Sequence, residues 1–500
     1  MVTFNSRILR LFFAFIFYIY TSPLLLNAQP IKQIRGVIHL DSTISGGEMA
    51  PEELVRLLKE NGMHAAFFSD QITTRVHYGI FPVPALTEWL SASMAASKFG
   101  REGSVTTTGA YNYLSLLNDL NRKYEDMTVV PGVEVYPFYY WRKNLLRGEI
   151  TMVNGHKHFL AIGLEKASDY ENMPTVSEGF YKGYNLQTLL SLWPLALLLL
   201  AFKCYRQSRY SLRSGLFKAS AQIFFVVGIL FLVNNYPYKF GRYNVYQGDQ
   251  GQRPYQDFID YVIGRGGVVF FAHPEASQKQ THSMGPLTIN LQTEAPYKDL
   301  LHLRNYTGFA AFYEGMKYII PPGGIWDQVL TEYCFAQRKQ PIWAIGEGDV
   351  EGDSFDPGLS QTVFLVKENT RPALIQALRT GQIYAIAGPY ADELSLDLFT
   401  LSDETGKQAS MGQTLKTKTV HLMAQISLKG NEKRNALSAD LIKNGILIDT
   451  FKGDGQITID LQDTLDTTML RHHYYRIDVR APNQTRLLTN PIFASPPKDS

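Results

Sequence analysis

Cysteine is almost missing from this chain: there are two in 500 residues, Cys204 and Cys334. That excludes a disulfide framework and any cysteine-rich zinc site. Cys204 closes an apolar segment read below as membrane-spanning and Cys334 lies in a soluble stretch, so the two face different compartments and do not pair. A charge excess of either sign is missing too. Lys and Arg number 48 against 46 Asp and Glu, for a net charge of +2, which gives no field suited to nucleic acid or acidic polymers. No nucleic-acid motif is present, and no nucleic-acid partner is expected. What remains, 45% hydrophobic and 19% charged, is the composition of a globular protein with some membrane content, long enough for two or three folded units.

Met1 to Ala28 has the layout of an export signal: Arg7 and Arg10, the apolar run Leu11–Tyr20, then Pro23 and a small residue before Gln29. Cleavage near Ala28 is expected, an uncleaved anchor being the alternative because Leu26 stands where a small residue is preferred. Further on, Leu186–Phe202 and Ala219–Val233 are almost wholly apolar, each near the lower limit for crossing a bilayer of ~30 Å. A pair of buried core helices has the same composition. The flanks favour a hairpin through a membrane: Lys203, Arg206, Arg209, Arg213 and Lys218 lie between the runs with no acid, and Tyr181, Tyr184, Tyr205, Tyr236 and Tyr238 border them, as cytoplasmic loops and interfacial belts do.

Around this hairpin the pattern is of strands and helices in turn. Ile34–His39, Ala65–Asp70, Val129–Val135, Phe159–Leu164, Gly267–Ala272, Gly308–Tyr313 and Ile342–Ile345 read as seven buried strands, with helices at Pro51–Asn61, Phe258–Ile263 and Trp326–Gln337. A barrel-like α/β domain carrying the hairpin as an insertion follows. From about Leu394 strands succeed one another without helices, and Asn444-Gly445 marks a hairpin turn, so a β-sandwich closes the chain.

Several strands end on a residue able to bind a metal. The candidates are His39 and Asp41, Asp70, Glu134, His156 and His158, His273, and Asp349 with Glu351. Parallel β/α barrels bring strand ends to one rim, and period 2 sends His39 and Asp41 to the same side. Mixed imidazole and carboxylate donors suit Zn, Mn or Fe. Any one of them alone reads more readily as a buried, hydrogen-bonded histidine or a helix-capping acid than as a ligand; recurrence at strand ends is what points to a metal. His77, His282, His472 and His473 read as structural.

The order of these motifs resembles the polymerase and histidinol phosphatase (PHP) family of metal-dependent phosphoesterases. The matching segments are GVIHLDSTISGG, GMHAAFFSDQ, VVPGVEV, GHKHFLAIGL, GGVVFFAHPE and IGEGDVEGD; ALRTGQIYAIAGPY and the β-rich tail ending in LLTNPIF resemble more closely the branch that includes carbaryl hydrolases. Together they span most of residues 34–495 outside the hairpin. The resemblance implies a distorted seven-stranded (β/α) PHP barrel with an inserted two-helix transmembrane hairpin and a C-terminal β-sandwich. The segments would then be 1–28, signal peptide; 29–185, first half of the barrel; 186–235, hairpin with its basic cytoplasmic loop at 203–218; 236–390, second half; and 391–500, sandwich.

Carried over by position, the resemblance gives one metal to His39, Asp41, Glu134 and Asp349, with Glu134 bridging to a second held by His158 and His273. In two-metal hydrolysis Asp70 or Glu351 would accept or return the proton, the alternative for Asp70 being only to orient a ligand. Three departures bear on a third metal of trinuclear members. Asp70-Gln71 replaces D-H, Asp349-Val350-Glu351 replaces D-x-H, and no histidine lies in the Ser45–Gly47 stretch. Two divalent ions are therefore expected, and carboxylate replacing imidazole shifts preference toward Mn²⁺ or Mg²⁺ over Zn²⁺.

The implied activity is metal-dependent hydrolysis of a small-molecule phosphoester by a membrane-anchored protein with barrel and sandwich on the exported side. Carbamate or carboxylic esters are the branch-specific alternative. A catalytically degenerate binding or scaffold protein is the competing class, with the sandwich docking an unknown partner. Arg75, Arg142 and Lys143 are the cations nearest the motifs, and the run Tyr136–Trp141 after Glu134 reads as a substrate-facing lip or a membrane contact. Because basic residues resist translocation, reporter fusions at Tyr170 and Gly248 should report export and one at Arg209 should not. An exported reporter at Arg209 overturns the hairpin.

Overall fold

The first strand, Lys32–Leu40, is buried along most of its length and joins two sheet systems. The computed structural model describes residues 30–497 apart from 75, 77, 80–82, 88–102, 145–146, 177–179, 285–286, 313, 351–355, 357–358, 430–435 and 467–469. The expected signal segment, residues 1–28, thus lies outside the described residues. Lys32–Leu40 runs parallel to Ala65–Phe68 along one edge and to Trp343–Val350 along the other; its first five residues also pair antiparallel with Ser360–Val366.

From that strand a sheet curls in the order Thr128–Val130, Ala65–Phe68, Lys32–Leu40, Trp343–Val350, Gly308–Phe312, Val268–Phe271, Phe159–Ile162, Gly132–Val135. Its two ends are consecutive in the chain. Pro131, with no N–H to give a ladder, splits the expected single strand Val129–Val135 into Thr128–Val130 and Gly132–Val135. The seven-stranded barrel is therefore realised as an eight-stranded curled mixed sheet; a continuous ladder all the way round is not formed among the described residues. One strand reverses direction: Phe159–Ile162 is antiparallel to both neighbours.

Helices cover the outside for sequence reasons. Pro51 starts Pro51–Glu60 at a position where a missing N–H costs nothing, and the Glu53 carboxylate accepts the Ala50 N–H at 3.4 Å. Its buried stripe is Leu54, Val55 and Leu58. Gly62, at φ 73°, turns the chain into the next strand.

The C-terminal strands alternate as two-faced sheets do. Thr419–Leu428 buries every second residue, Val420, Leu422, Ala424, Ile426 and Leu428, and pairs antiparallel with Leu394–Ser402 and Gln456–Thr464. A second core joins these residues to Ala439, Leu441, Ile477 and Val479 from the other sheet. Asn444 and Gly445, at φ 51° and 81°, connect Ala436–Lys443 to Ile446–Asp454, the double positive φ of a tight hairpin. The sheet holding Ala436–Lys443 is continuous with the curled one through Ile383–Ala387 and Arg486–Thr489.

Between the strands Phe159–Ile162 and Val268–Phe271 stand the two apolar helices. Leu186–Ser208, with a break at Leu192–Trp193, and Ser214–Asn235 are each long and apolar enough to cross a membrane. They pair closely: a Cβ on Gly228 would come within 2.7 Å of Leu198, and the Trp193 and Phe231 rings lie 5.0 Å apart. Their outer faces expose Leu189, Leu199, Phe202, Ile223, Phe225 and Val226.

The C-terminal unit is clamped onto the helix Ile325–Cys334 by a buried ion pair. Arg476 Nε and Nη2 donate to Asp327 Oδ1 and Oδ2 at 2.8 and 2.6 Å; Tyr474 Oη donates to the same carboxylate at 2.8 Å. Removing one member strands the other charge in the interior. Asp327→Ala should therefore cost about 3–5 kcal/mol, read as a lower denaturant midpoint, whereas Asp327→Leu with Arg476→Met should recover most of it. A double variant as unstable as the single one would show that the pair is not what clamps the units.

Candidate metal centre

Parallel strands deliver their C-terminal ends to one rim of a curled sheet, and a reversed strand delivers its N-terminal end there. This is why His158, which precedes Phe159–Ile162, meets Glu134 near the end of Gly132–Val135 and His273 just past Val268–Phe271. His39 arrives through an irregularity. The first strand shifts register between Ile38 and Leu40 against both neighbours, and His39 has φ 73°. A bulge thus aims its ring, rather than simple alternation. His273 and Asp349 also have positive φ, 29° and 45°, so three candidate ligands sit on backbone that non-glycine residues seldom adopt, a feature concentrated at functional sites.

Glu134 is the hub. Its Oε1 lies 2.7 Å from His158 Nδ1, 3.3 Å from His273 Nε2 and 3.3 Å from His39 Nε2. Two groups of donors follow, His39–Asp41–Glu134 and Glu134–His158–His273, with the ligand atoms of each group within 4.8 Å of one another and every member buried. His39 Nε2 and both Asp41 carboxylate oxygens are buried without a hydrogen-bond partner. Such groups are costly unless something cationic satisfies them. The donors present thus fit divalent cations of borderline to hard character.

The electrostatics agree. Burial, followed by the Glu134 charge, drives the Asp41 carboxyl well above the usual carboxylate range. Burial works against charge on His39 most strongly, yet the Glu134 and Asp349 carboxylates together hold its pKa well above ordinary. Glu134 resists the same burial and is held well below the usual range by the charges on His158 and His39 and by hydrogen bonds from His158 and His273. Despite burial, hydrogen bonding to Glu134 and the charge of Glu347 raise His273 to about 9. A site with its ligands protonated in this way exchanges protons for metal on binding.

Other expected residues stand differently. Asp349 is at the edge, its side chain 47% exposed and its Oδ1 3.8 Å from His39 Nδ1. The buried carboxylate at this strand end is Glu347, which sequence reasoning missed. Its Oε2 is 2.9 Å from His39 Nδ1 and its Oε1 accepts the His273 N–H at 2.8 Å. The signal for it is period 2, which puts Glu347 on the strand face of Ile345 and Asp349, beyond the end of the apolar run Ile342–Ile345.

Asp70 Oδ1 accepts from Ser42 N, Ser42 Oγ and Ser45 Oγ at 2.8, 2.8 and 3.0 Å, which makes it a clamp on the turn after Asp41. Gln71 donates to Glu134 Oε2 at 3.1 Å. His156 stacks on His273 at 4.7 Å and meets His158 edge-on at 4.6 Å; burial and then the charges on His158 and His273 push it down to about 3. Glu351, Arg75 and His77 lie outside the described residues. The run Tyr136–Trp141 is neither lip nor membrane contact: Tyr136, Phe138, Tyr139 and Trp141 are buried, because their rings pack on one another and on Phe180, Tyr243 and Tyr255. His472 lies against Tyr333 and His473 bonds Asn444 and the Asp466 carbonyl, both far from the rim as expected.

No family model and no curated protein matches the chain. Solved structures do. Among the proteins it overlaps are two described as metal-dependent phosphoesterases, one of them PHP-like, and an amidohydrolase. A two-domain protein from Bacteroides vulgatus, containing a predicted PHP-like metal-dependent phosphoesterase, is 11% identical over 91% of each chain with a TM-score of 0.35. A putative metal-dependent phosphoesterase from Bifidobacterium adolescentis is 14% identical over 64% of this chain and 90% of its own, at TM-score 0.25. An amidohydrolase from Chromobacterium violaceum with bound sulfate is 12% identical over 64% and 88%, at 0.26. Overlaps this shallow assign no role to any residue, and the functional reading rests on the geometry above.

The raised pKa of His273 has a sign that can be tested. A folded value of about 9 against the ordinary 6.5 contributes stability that is complete below 6.5 and lost as pH rises through 9. Metal-free protein should therefore lose stability between these limits, as followed by thermal unfolding, and added Mn²⁺ should restore it increasingly at the alkaline end. A metal-free protein of constant stability across this window contradicts the arrangement.

Proposed function

We propose that this chain is a membrane-anchored, exported metal-dependent hydrolase acting on phosphoesters through a centre for two divalent ions. The observation that carries the reading is Glu134 Oε1, placed within 3.3 Å of imidazole nitrogens from three different strands, with unpartnered donor atoms of His39 and Asp41 beside it. His39, Asp41 and Glu134 would hold one ion and Glu134, His158 and His273 the other, with Asp349 able to swing in from the solvent side. When bound, such ions lower the pKa of water and stabilise charge developing on the attacked ester.

The chain's own residues do the positioning. Glu347 fixes the His39 ring through Nδ1 and leaves Nε2 facing the centre, the usual service of a carboxylate behind a metal-binding histidine. Asp70 holds the Ser42–Ser45 turn so that Asp41 cannot rotate away. Gln71 occupies Glu134 Oε2 and directs Oε1 to the imidazoles. The two apolar helices support anchoring, and the basic segment between them supports a cytoplasmic loop with both flanking halves exported.

Glu134→Gln tests the reading because it keeps shape and removes the charge shared by both donor groups. Bound metal, measured by elemental analysis of protein purified without chelators, should fall for both ions. Hydrolysis of an aryl phosphoester panel with Mn²⁺, Zn²⁺ or Mg²⁺ should drop by roughly 10²-fold or more, while the fold persists by circular dichroism. Full metal content and activity in Glu134→Gln would refute the two-ion assignment.

A further inference from the structure

The two apolar helices are rooted on the same rim as the metal centre. Glu134 lies near the rim end of Gly132–Val135, and the chain continues directly into Pro137 and Phe138. There the segments leading to and from the helices converge. Val176 N donates to Pro137 O at 3.1 Å, and Arg242 N to Phe180 O at 2.8 Å. Phe180, Tyr243 and Tyr255 surround the Phe138 ring at 6.1–6.5 Å between centroids. Trp141 N donates to Val245 O at 2.7 Å. The other flank of Glu134 is tied to the same root: from Gln71, which bonds Glu134, the chain runs on to Ala85 and Leu86, whose N–H groups donate to Asn234 Oδ1 at 3.1 and 3.4 Å in the last turn of the second helix.

A mere tether works from any surface, including the opposite face, where Phe159–Ile162 ends at Gly163 and Glu165. Here Phe138, at the root, is the fourth residue after Glu134, a span of at most roughly 14 Å at the reach of an extended chain. The collar of the root has its own chemistry. Tyr181, Tyr184 and Tyr236 are exposed, Lys239 Nζ lies 5.6 Å over the Tyr184 ring, and Lys182 is exposed beside them. Residues 186–235 contain no Asp or Glu. Tyrosine and lysine at this level suit an interface carrying anionic head groups.

We propose, resting on the hydrolase reading above, that the substrate is an amphiphile resident in the bilayer whose anionic phosphoester head group is presented to the rim from the membrane surface. Water gives its oxygen to phosphorus, the P–O bond to the lipid-side alcohol breaks, and that alcohol leaves with a proton while its chains stay in the bilayer.

The test uses the full chain in phosphatidylcholine nanodiscs with Mn²⁺. Phosphatidic acid and phosphatidylglycerol in the disc are compared with glycerol phosphate and p-nitrophenyl phosphate in solution at equal bulk concentration. A bilayer substrate should be cleaved about tenfold faster or more, as confinement beside the site raises its effective concentration. Lys182→Gln with Lys239→Gln should lower that rate about fivefold or more per charge removed and leave p-nitrophenyl phosphate hydrolysis unchanged.

Soluble esters cleaved as fast as bilayer ones, or faster, overturn the proposal and leave the hydrolase reading standing. No cleavage of any ester overturns both. Geometry is read independently of activity with a dye on Arg142→Cys, exposed next to Trp141 on the rim side, or on Glu165→Cys on the opposite face, each in a Cys204→Ser background, and lipids bearing a head-group quencher. Quenching at the rim position and not at the distal one is expected; equal quenching, or the reverse, overturns the proposal whichever esters are cleaved.

Discussion

A carboxylate buried like that of Glu134, 3% exposed, survives only where positive charge or donors surround it on every side. That one requirement organises the rim. Meeting it takes imidazoles from three strands and the amide of Gln71, so four separate segments must end at the same level. It also explains why the first strand accepts a bulge and a positive φ at His39: without them the ring would not reach Oε1. The surrounding fold, with Glu347 behind His39 and Asp70 behind the Ser42–Ser45 turn, keeps those donors from relaxing away.

Much of this was legible from residue order. The buried strands, the helix opened at Pro51, the Asn444-Gly445 turn and the hairpin of apolar helices are local matters of period, capping and composition, and they form where those rules place them. Five of the six expected metal ligands, His39, Asp41, Glu134, His158 and His273, come together at the rim. Asp349 stays at its edge, because the extended strand Trp343–Val350 puts Glu347 in the buried position and leaves Asp349 beyond it. Burial of the Tyr136–Trp141 run was not legible either. Aromatic density looks the same whether the rings face lipid, substrate or one another, and only the return of Phe180, Tyr243 and Tyr255 from distant sequence decides between them. The split at Pro131 is local too, since a proline has no N–H to give the ladder, but the apolar residues on both sides of it read as one strand.

The C-terminal sheets keep their own apolar core, yet they are not merely appended. The ladder of one of them, the sheet holding Ala436–Lys443, runs unbroken into the curled sheet, and Asn490 reinforces the seam by bonding the N–H and C=O of Ala344 and the carbonyl of Ile383. Ala344 lies in the strand that delivers Glu347. A shift in the C-terminal unit therefore has a direct covalent and hydrogen-bonded route to the backing of His39, with Arg476 and Asp327 making a second, ionic attachment a short distance away.

The double pairing of the first strand also bears on how the chain is made. Arg35 finds Gln361 across a sequence separation of 326 residues, and its strand's other long-range neighbour, Trp343–Val350, is synthesised nearly as late. At translation rates of about 5–20 residues per second, the strand Lys32–Leu40 waits on the order of tens of seconds with one edge open while the two apolar helices are made behind it. An open edge of that composition is a template for wrong pairing. Folding of this chain is thus a race in which an early strand is among the last to find its full set of partners, and a factor that shields its open edge until then is the natural way to win it.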